Sequence, residues 1–158
     1  MKILWFANSP CGSVRRCNAK TIVGGWLISL EDEIKKHEDV ELHVAYFSEA
    51  DKNSFEFEVV TYHPIYMPKA KTKVGRVLAR YKSLVSKDEM LLPVMLDVVK
   101  AVRPDLIHIH GTEERFGLIQ DHIKDVPIVF SIQGIVSSYK EKYFSGFPKN
   151  FIKKHESS

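Results

Sequence analysis

The chain has 158 residues, of which 44% are hydrophobic and 27% charged, and its formal net charge is +3. This length and balance fit one globular domain and exclude a disordered or fibrous protein, and the charge is too small for a dedicated nucleic-acid binder. Two cysteines, Cys11 and Cys17, are too few for a secreted disulfide scaffold. Without a signal-peptide pattern or an apolar run of roughly 20 residues, we expect a soluble cytoplasmic domain.

The first predicted elements are a strand, a loop and a helix. Residues 2–7 form a short apolar run ended by Asn8-Ser9-Pro10, which predicts a buried strand followed by a loop. Gly24-Gly25 opens a helical pattern whose apolar positions are Trp26, Leu27, Leu30 and Ile34. The side expected to face solvent carries Glu31, Asp32, Lys35 and Lys36.

The middle of the chain predicts two strands and then two helices. Residues 40–47 and 55–62 have strand patterns, with a turn at 51–53 between them. Residues 73–87 form a basic amphipathic stretch, either an ordinary surface helix or one that lies on anionic lipid. Pro93 marks the start of the next helix or a kink in it. The apolar face of this helix is Leu92, Met95, Leu96, Val99 and Val102.

The last predicted elements are two strands around a short helix. Residues 105–110 predict a strand, and Thr112 is placed to cap a helix that buries Phe116, Ile119 and Ile123. Residues 127–132 predict the fifth strand, and we expect 148–158 to be a weakly ordered tail.

Alternation of strands and helices predicts one α/β domain over residues 1–158, a doubly wound, mainly parallel, Rossmann-like sheet. In such sheets ligands bind outside the carboxyl ends of the strands, near the switch in strand order. The expected binding segments are therefore 8–12, 110–112 and 133–138.

The glycine pair is a candidate phosphate site, because two glycines before a helix allow close approach to its free N–H groups. The alternative interpretation is a hinge after a long loop. The sequence contains neither a G-x-G-x-x-G after the first strand nor a G-x-x-x-x-G-K-[ST], which disfavours dehydrogenases and P-loop proteins.

His108 and His110 are two residues apart on a predicted strand, so their side chains share one face. With Glu113 or His63 as a third ligand they could hold a metal, as in a metal-dependent hydrolase. We expect His108 to be packed or hydrogen-bonded within the strand and His110, next to Gly111, to be the functional one. Cys11 has no base motif beside it and is not expected to be a nucleophile.

Three segments together resemble the N-terminal domain of the retaining GT-B glycosyltransferases of family four. They are Asn8-Ser9-Pro10 with the later Gly24-Gly25-Trp26-Leu27, the stretch RPDLIHIHGT at 103–112, and PIVFSIQG at 127–134. The similarity runs from residue 1 to about 147. It implies one half of a two-domain enzyme whose missing C-terminal domain grips the nucleotide sugar, with no metal and no cofactor bound by this chain.

The resemblance also implies roles for individual residues. Gly24 and Gly25 approach the donor diphosphate, and the catalytic candidates are His110 and Gln133. The candidates for acceptor binding are Asn8, Ser9, Gly111, Thr112, Gly134, Ser137 and Ser138. Many family members have a histidine where this chain has Gln133, and a glutamine cannot transfer a proton by titrating.

The expected function is therefore the acceptor side of a transferase that moves a sugar to a glycan or lipid-linked acceptor, in surface polysaccharide synthesis. Its expected partners are that acceptor and the missing C-terminal domain, with peripheral membrane contact through residues 73–87 and no nucleic acid. The chain alone is expected to be inactive. The alternatives are the metal-dependent hydrolase and a standalone module that binds a sugar or nucleotide.

Overall fold

The computed structural model describes residues 1–17, 25–67, 87–111 and 115–132. In these ranges the chain forms a six-stranded, mostly parallel sheet with helices packed against it. The α/β, Rossmann-like fold predicted from the sequence is confirmed.

Within the described ranges the elements follow the predicted order, except that a 3₁₀ helix forms in the predicted loop after the first strand and the predicted third strand is replaced by two. The strands are Lys2–Ala7 (β1), Glu41–Ser48 (β2), Phe55–Phe57 (β3), Val60–Tyr66 (β4), Leu106–His110 (β5) and Ile128–Ser131 (β6). The α-helices are Gly25–Ile34 (α1) and Lys87–Val102 (α2), and the 3₁₀ helices are Cys11–Cys17 and Arg115–His122. No helix in these described ranges is long and apolar enough to cross a membrane.

The sheet has the strand order β3-β4-β2-β1-β5-β6, and only the β3–β4 pair is antiparallel. From β1 the chain moves outward through β2 and β4 on one side, then returns to place β5 and β6 on the other. The order therefore switches between β1 and β5, where Ala7 lies beside His110 in register. This is the position at which doubly wound sheets bind their ligands.

Residues 55–62 were predicted to be one strand, and this prediction is wrong. They form a hairpin in which Glu58 and Val59 have φ angles of 48° and 63°. Positive φ at both central residues is typical of a tight hairpin turn, which is normally marked by asparagine or glycine. Here the turn is stabilised by a side chain instead, because the Glu58 carboxylate forms ion pairs with Lys35 at 3.0 Å and Arg15 at 3.4 Å.

One of the helix predictions needs correction. Pro93 lies inside α2, six residues after its first residue, so it does not start that helix. The short helix after Thr112 is a 3₁₀ helix in which Phe116 and Ile119 are buried as expected. Of the predicted basic helix, residues 73–86 lie outside the described residues, as does the tail at 148–158.

Two apolar clusters cover the two faces of the sheet. One packs α2 and the second 3₁₀ helix against the sheet through Leu4, Phe6, Met95, Val99, Ile107, Ile109 and Phe116. The other packs α1 against the sheet through Trp5, Leu27, Val44, Tyr46 and Tyr62. Neighbouring residues on β1 alternate between the clusters, as the two-residue period of a strand requires.

The α1 face also contains a buried carboxylate. Glu31, predicted to face solvent, is completely buried. Its side chain accepts hydrogen bonds from the Gly12 N–H and the Tyr62 hydroxyl, both at 2.8 Å, and forms an ion pair with Lys35 at 3.3 Å. A buried charge is stable only with such partners. Glu31 thus connects α1 to the segment after β1 and to β4.

Gly12→Ala tests this connection. A Cβ at position 12 would lie 2.1 Å from the Glu31 Oε1 atom, and the carboxylate cannot move without breaking its other bonds. We expect a loss of about 3 kcal/mol in the free energy of unfolding, measured by urea denaturation.

The matched control is Gly25→Ala, because a Cβ at position 25 would meet nothing within 4 Å. We expect it to change the free energy of unfolding by less than about 0.5 kcal/mol. Equal stability of the two variants would show that Glu31 does not hold the segment after β1.

Candidate functional site

The candidate site lies at the carboxyl ends of β1 and β5, beside the start of α1. Asn8 and Ser9 follow β1, Gly111 follows β5, and Gly25 is the first residue of α1. Gly111 is buried, has φ of 89° and donates its N–H to the Ser131 carbonyl at 2.9 Å. Because a side chain rarely adopts this φ, glycine is required here to keep the end of β5 attached to β6.

His110 is the central side chain of this edge. Its exposure is 1%, and neither ring nitrogen has a hydrogen-bond partner in the described part of the chain. The ring lies edge-on to Trp5, with centroids 4.5 Å apart, and its centroid is 3.9 Å from that of His108. A buried polar group without a hydrogen-bond partner lowers the free energy of unfolding by about 1–3 kcal/mol. The His110 ring therefore destabilises the fold unless a ligand supplies the missing hydrogen bonds.

The environment of His110 keeps its ring neutral. Burial, assisted by the neighbouring His108, lowers the pKa of His110 from 6.5 to about 3. A neutral imidazole has one N–H donor and one acceptor nitrogen. His110 can therefore both donate to and accept from a ligand hydroxyl, but at neutral pH it has no proton to give as an acid.

His108 is held within the sheet, as its position in the strand predicted. Its Nε2 atom is 2.7 Å from the Ser131 hydroxyl, a hydrogen bond between β5 and β6. Burial lowers the pKa of His108 as well. Because this nitrogen is already engaged, His108 supports the ring of His110 and does not offer the same atom to a ligand.

The first turn of α1 reaches this edge through Trp26. The rings of Trp26 and His110 are 5.5 Å apart and nearly perpendicular, at 68°. The first turn of α1 has no acidic residue to neutralise the positive end of the helix dipole. The positive end of the α1 dipole therefore lies at the carboxyl edge of the sheet, next to the uncharged ring of His110.

The structure places some of the predicted site residues but not all. Four of them lie at the carboxyl edge of the sheet: Asn8, Ser9, His110 and Gly111. Gly25 lies at the start of α1, and Asn8 is exposed. Ser9 is buried, and its hydroxyl accepts a hydrogen bond from the Cys11 N–H at 3.4 Å. The other predicted residues lie outside the described ranges: Gly24, Thr112, Gln133, Gly134, Ser137 and Ser138.

Two tryptophans at this edge were missed as site residues. Trp26 was assigned to the apolar face of a helix and Trp5 to a buried strand, yet both contact His110. A usable signal was available for Trp26, because it follows a glycine pair at a predicted strand–helix junction. Trp5 had no such signal, since its contact depends on the pairing of β1 with β5.

Of the two third ligands suggested for a metal at His108 and His110, His63 lies away from them. His63 is on β4 and points to the opposite face, where its ring nitrogens contact His43 and Ser54 at 2.9 Å each. Glu113 lies outside the described residues. Within the ranges that the structure describes, no three His, Cys, Asp or Glu side chains are grouped as metal ligands.

A chain of hydrogen bonds on that opposite face links Ser54, His63, His43 and Glu41, with each contact at 2.9 Å. If Ser54 donates to the Nδ1 atom of His63, both rings carry their proton on Nε2 and every contact has one donor. Burial, assisted by the neighbouring His43, lowers the pKa of His63 to about 4, which makes it a weak base. We therefore assign this chain a structural role in joining β2 to β4.

Cys11 is also a structural residue. Burial, with the negative charge of Glu31, raises the pKa of its thiol to about 12. The reactive thiolate is therefore scarce at neutral pH, in agreement with the sequence-based expectation.

No protein-family profile matches this chain, and no curated protein sequence matches it significantly.

His110→Phe tests the state of the buried ring. The unfolded chain binds a proton at His110 near pH 6.5, whereas the folded chain does so only near pH 3. Because the unfolded state takes up this proton first, the free energy of unfolding decreases progressively as the pH falls below 6.5. Between pH 7 and pH 5 we expect the variant to lose about 2 kcal/mol less than the wild type in urea denaturation.

The matched control is His110→Gln, which removes the titration but keeps polar atoms in the site. Both variants should lose the same pH dependence, but only His110→Phe should be more stable at pH 7, by about 1 kcal/mol, because it removes two unpartnered nitrogens. Full wild-type pH dependence in His110→Phe would show that the ring is not buried in its neutral form.

Proposed function

We propose that this chain is the acceptor-side domain of a GT-B-type glycosyltransferase. The complete enzyme would move a sugar from a nucleotide-sugar donor to a glycan or lipid-linked acceptor, in the cytoplasm and in surface polysaccharide synthesis. The observation that carries the proposal is the buried, neutral His110, whose two nitrogens lack partners among the described residues, at the switch between β1 and β5.

Three features of the described residues support a ligand of this kind. The sheet order places the carboxyl ends of β1 and β5 where doubly wound proteins bind nucleotides and sugars. The start of α1, without acidic residues in its first turn, favours a phosphate group. The neutral ring of His110 suits a hydroxyl, which donates and accepts hydrogen bonds as the imidazole does.

In the proposed reaction the candidate site residues have different roles. Gly24 and Gly25 at the start of α1 would approach the donor diphosphate, and His110 would orient an acceptor hydroxyl. The low pKa of His110 fits a hydrogen-bonding role rather than proton donation. Gln133 would add a hydrogen bond without titrating, and the rest of the acceptor side would come from the segments around Thr112 and 134–138.

The charged leaving group requires more than the described residues around His110 provide. A departing nucleoside diphosphate needs strong electrostatic stabilisation, and the rings that surround His110 in the described structure are uncharged. In our proposal the C-terminal domain supplies that stabilisation and the nucleotide site. The basic segment 73–87 would bring the enzyme to a membrane that contains lipid-linked acceptors.

Calorimetric titration with nucleoside diphosphates, at fixed salt and without metal, tests this division. We expect binding by the full-length gene product and at least 10-fold weaker binding, on the order of 1.4 kcal/mol, by the 158-residue chain. The isolated chain should transfer no sugar from a nucleotide sugar. Equal binding by both proteins would contradict the proposal and favour a standalone module. Binding that appears only in a second titration with added zinc would favour the hydrolase.

His110→Ala in the full-length enzyme tests the role of this ring. We expect kcat/KM to fall by roughly 10- to 100-fold, because one hydrogen bond to the acceptor is lost while the donor site is unchanged. The control is His122→Ala, since His122 is exposed on the 3₁₀ helix that packs on the opposite face of the sheet. Equal kcat/KM values for the two variants would exclude His110 from the site.

A further inference from the structure

An exposed aromatic ring adjoins the buried polar ring at the candidate site. Trp26 is the second residue of α1, and its ring lies against the His110 ring, with centroids 5.5 Å apart. The Trp26 side chain nevertheless remains 46% exposed. Among the described residues, the other exposed aromatic side chain is Tyr66, whose ring has the Lys52 ammonium 4.4 Å from its centroid. Trp26 is therefore the described aromatic ring that remains open next to the site.

The two neighbouring rings offer complementary chemistry. The indole is a flat, rigid apolar surface on which another ring can stack. His110, next to the indole, has one donor and one acceptor nitrogen, both buried and without partners in the described ranges. A ligand that fits both has a flat apolar face and an edge of neutral hydroxyls.

A pyranose ring has this combination, because its axial C–H groups form an apolar face and its hydroxyls lie around the edge. A nucleobase also stacks on aromatic rings, but its donors and acceptors are fixed in the plane of the ring, whereas the hydroxyls of a sugar can rotate to suit a neutral imidazole. A phosphate is a poor partner for His110 itself, because an anion would favour a protonated ring in a position where burial disfavours the charge.

We propose that Trp26 is the surface on which a neutral pyranose ring of the acceptor stacks, with one sugar hydroxyl hydrogen-bonded to His110. This inference rests on the proposed function for the identity of the ligand as an acceptor. It requires only sugar binding by the 158-residue chain, so it can be tested without transferase activity.

The chain allows a direct readout, because it has two tryptophans and the other one, Trp5, is completely buried. A ¹H–¹⁵N NMR spectrum contains one indole N–H signal from each. The chain would be titrated with the methyl glycosides of glucose, galactose and mannose, and separately with uridine. We expect at least one glycoside to shift the Trp26 signal at concentrations up to about 100 mM, a range suited to single-ring ligands.

Two variants identify the residues responsible. Trp26→Ala lacks the reporting indole, so its affinity would be followed through the backbone N–H signal of Gly111. We expect it to fall at least 10-fold, and the exposure of Trp26 makes the fold tolerant of this change. His110→Gln should weaken binding while the Trp26 signal still shifts at saturation, because the stacking surface is intact. The Trp5 signal should move less than that of Trp26 throughout.

Three outcomes would overturn the inference. They are no shift of Trp26 with any of the three glycosides, a shift with uridine alone, or unchanged glycoside affinity in Trp26→Ala. The proposed function fails separately, when the full-length product does not bind nucleoside diphosphates more tightly than the 158-residue chain. Glycoside binding at Trp26 together with that failure would leave a sugar-binding module.

Discussion

The position of α1 depends on one buried carboxylate. Glu31 accepts hydrogen bonds from Gly12, just after the loop that ends β1, and from Tyr62 on β4. Lys35, in the turn directly after α1, lies 3.3 Å away. A carboxylate in an apolar cluster is strongly destabilising when one of its partners is lost, so the three contacts act as a geometric constraint. They fix α1 across the sheet, and its first turn consequently lies over the end of β5.

This constraint explains why the site contains an uncharged, unsatisfied ring. With α1 in place, Trp26 contacts His110 from the helix while Trp5 and His108 contact it from the sheet. The ring is removed from water, which favours its neutral form and leaves its nitrogens without partners among the described residues. The protein thus gives up stability at the position where sheets of this type bind ligands, as is common at functional sites.

The sequence was sufficient for the parts of the fold that depend on local pattern. The ends of β1 and β5 are marked by Asn8-Ser9-Pro10 and by Gly111, so the edge that holds the site was predictable. Contacts made across the sheet were not predictable. Glu31 has the spacing of a solvent-facing residue and is buried only because Gly12 and Tyr62 supply donors, and the turn at Glu58 is stabilised by Lys35 rather than by turn residues.

The central claim is that the neutral ring of His110 binds the sugar ligand. The most direct test is a long-range ¹H–¹⁵N NMR spectrum of the histidine rings during titration with the methyl glycoside that binds the chain. We expect the two ring nitrogens of His110 to shift as they gain partners, and those of His63, on the opposite face, to stay in place. Saturable glycoside binding that leaves the His110 nitrogens unchanged would contradict the account.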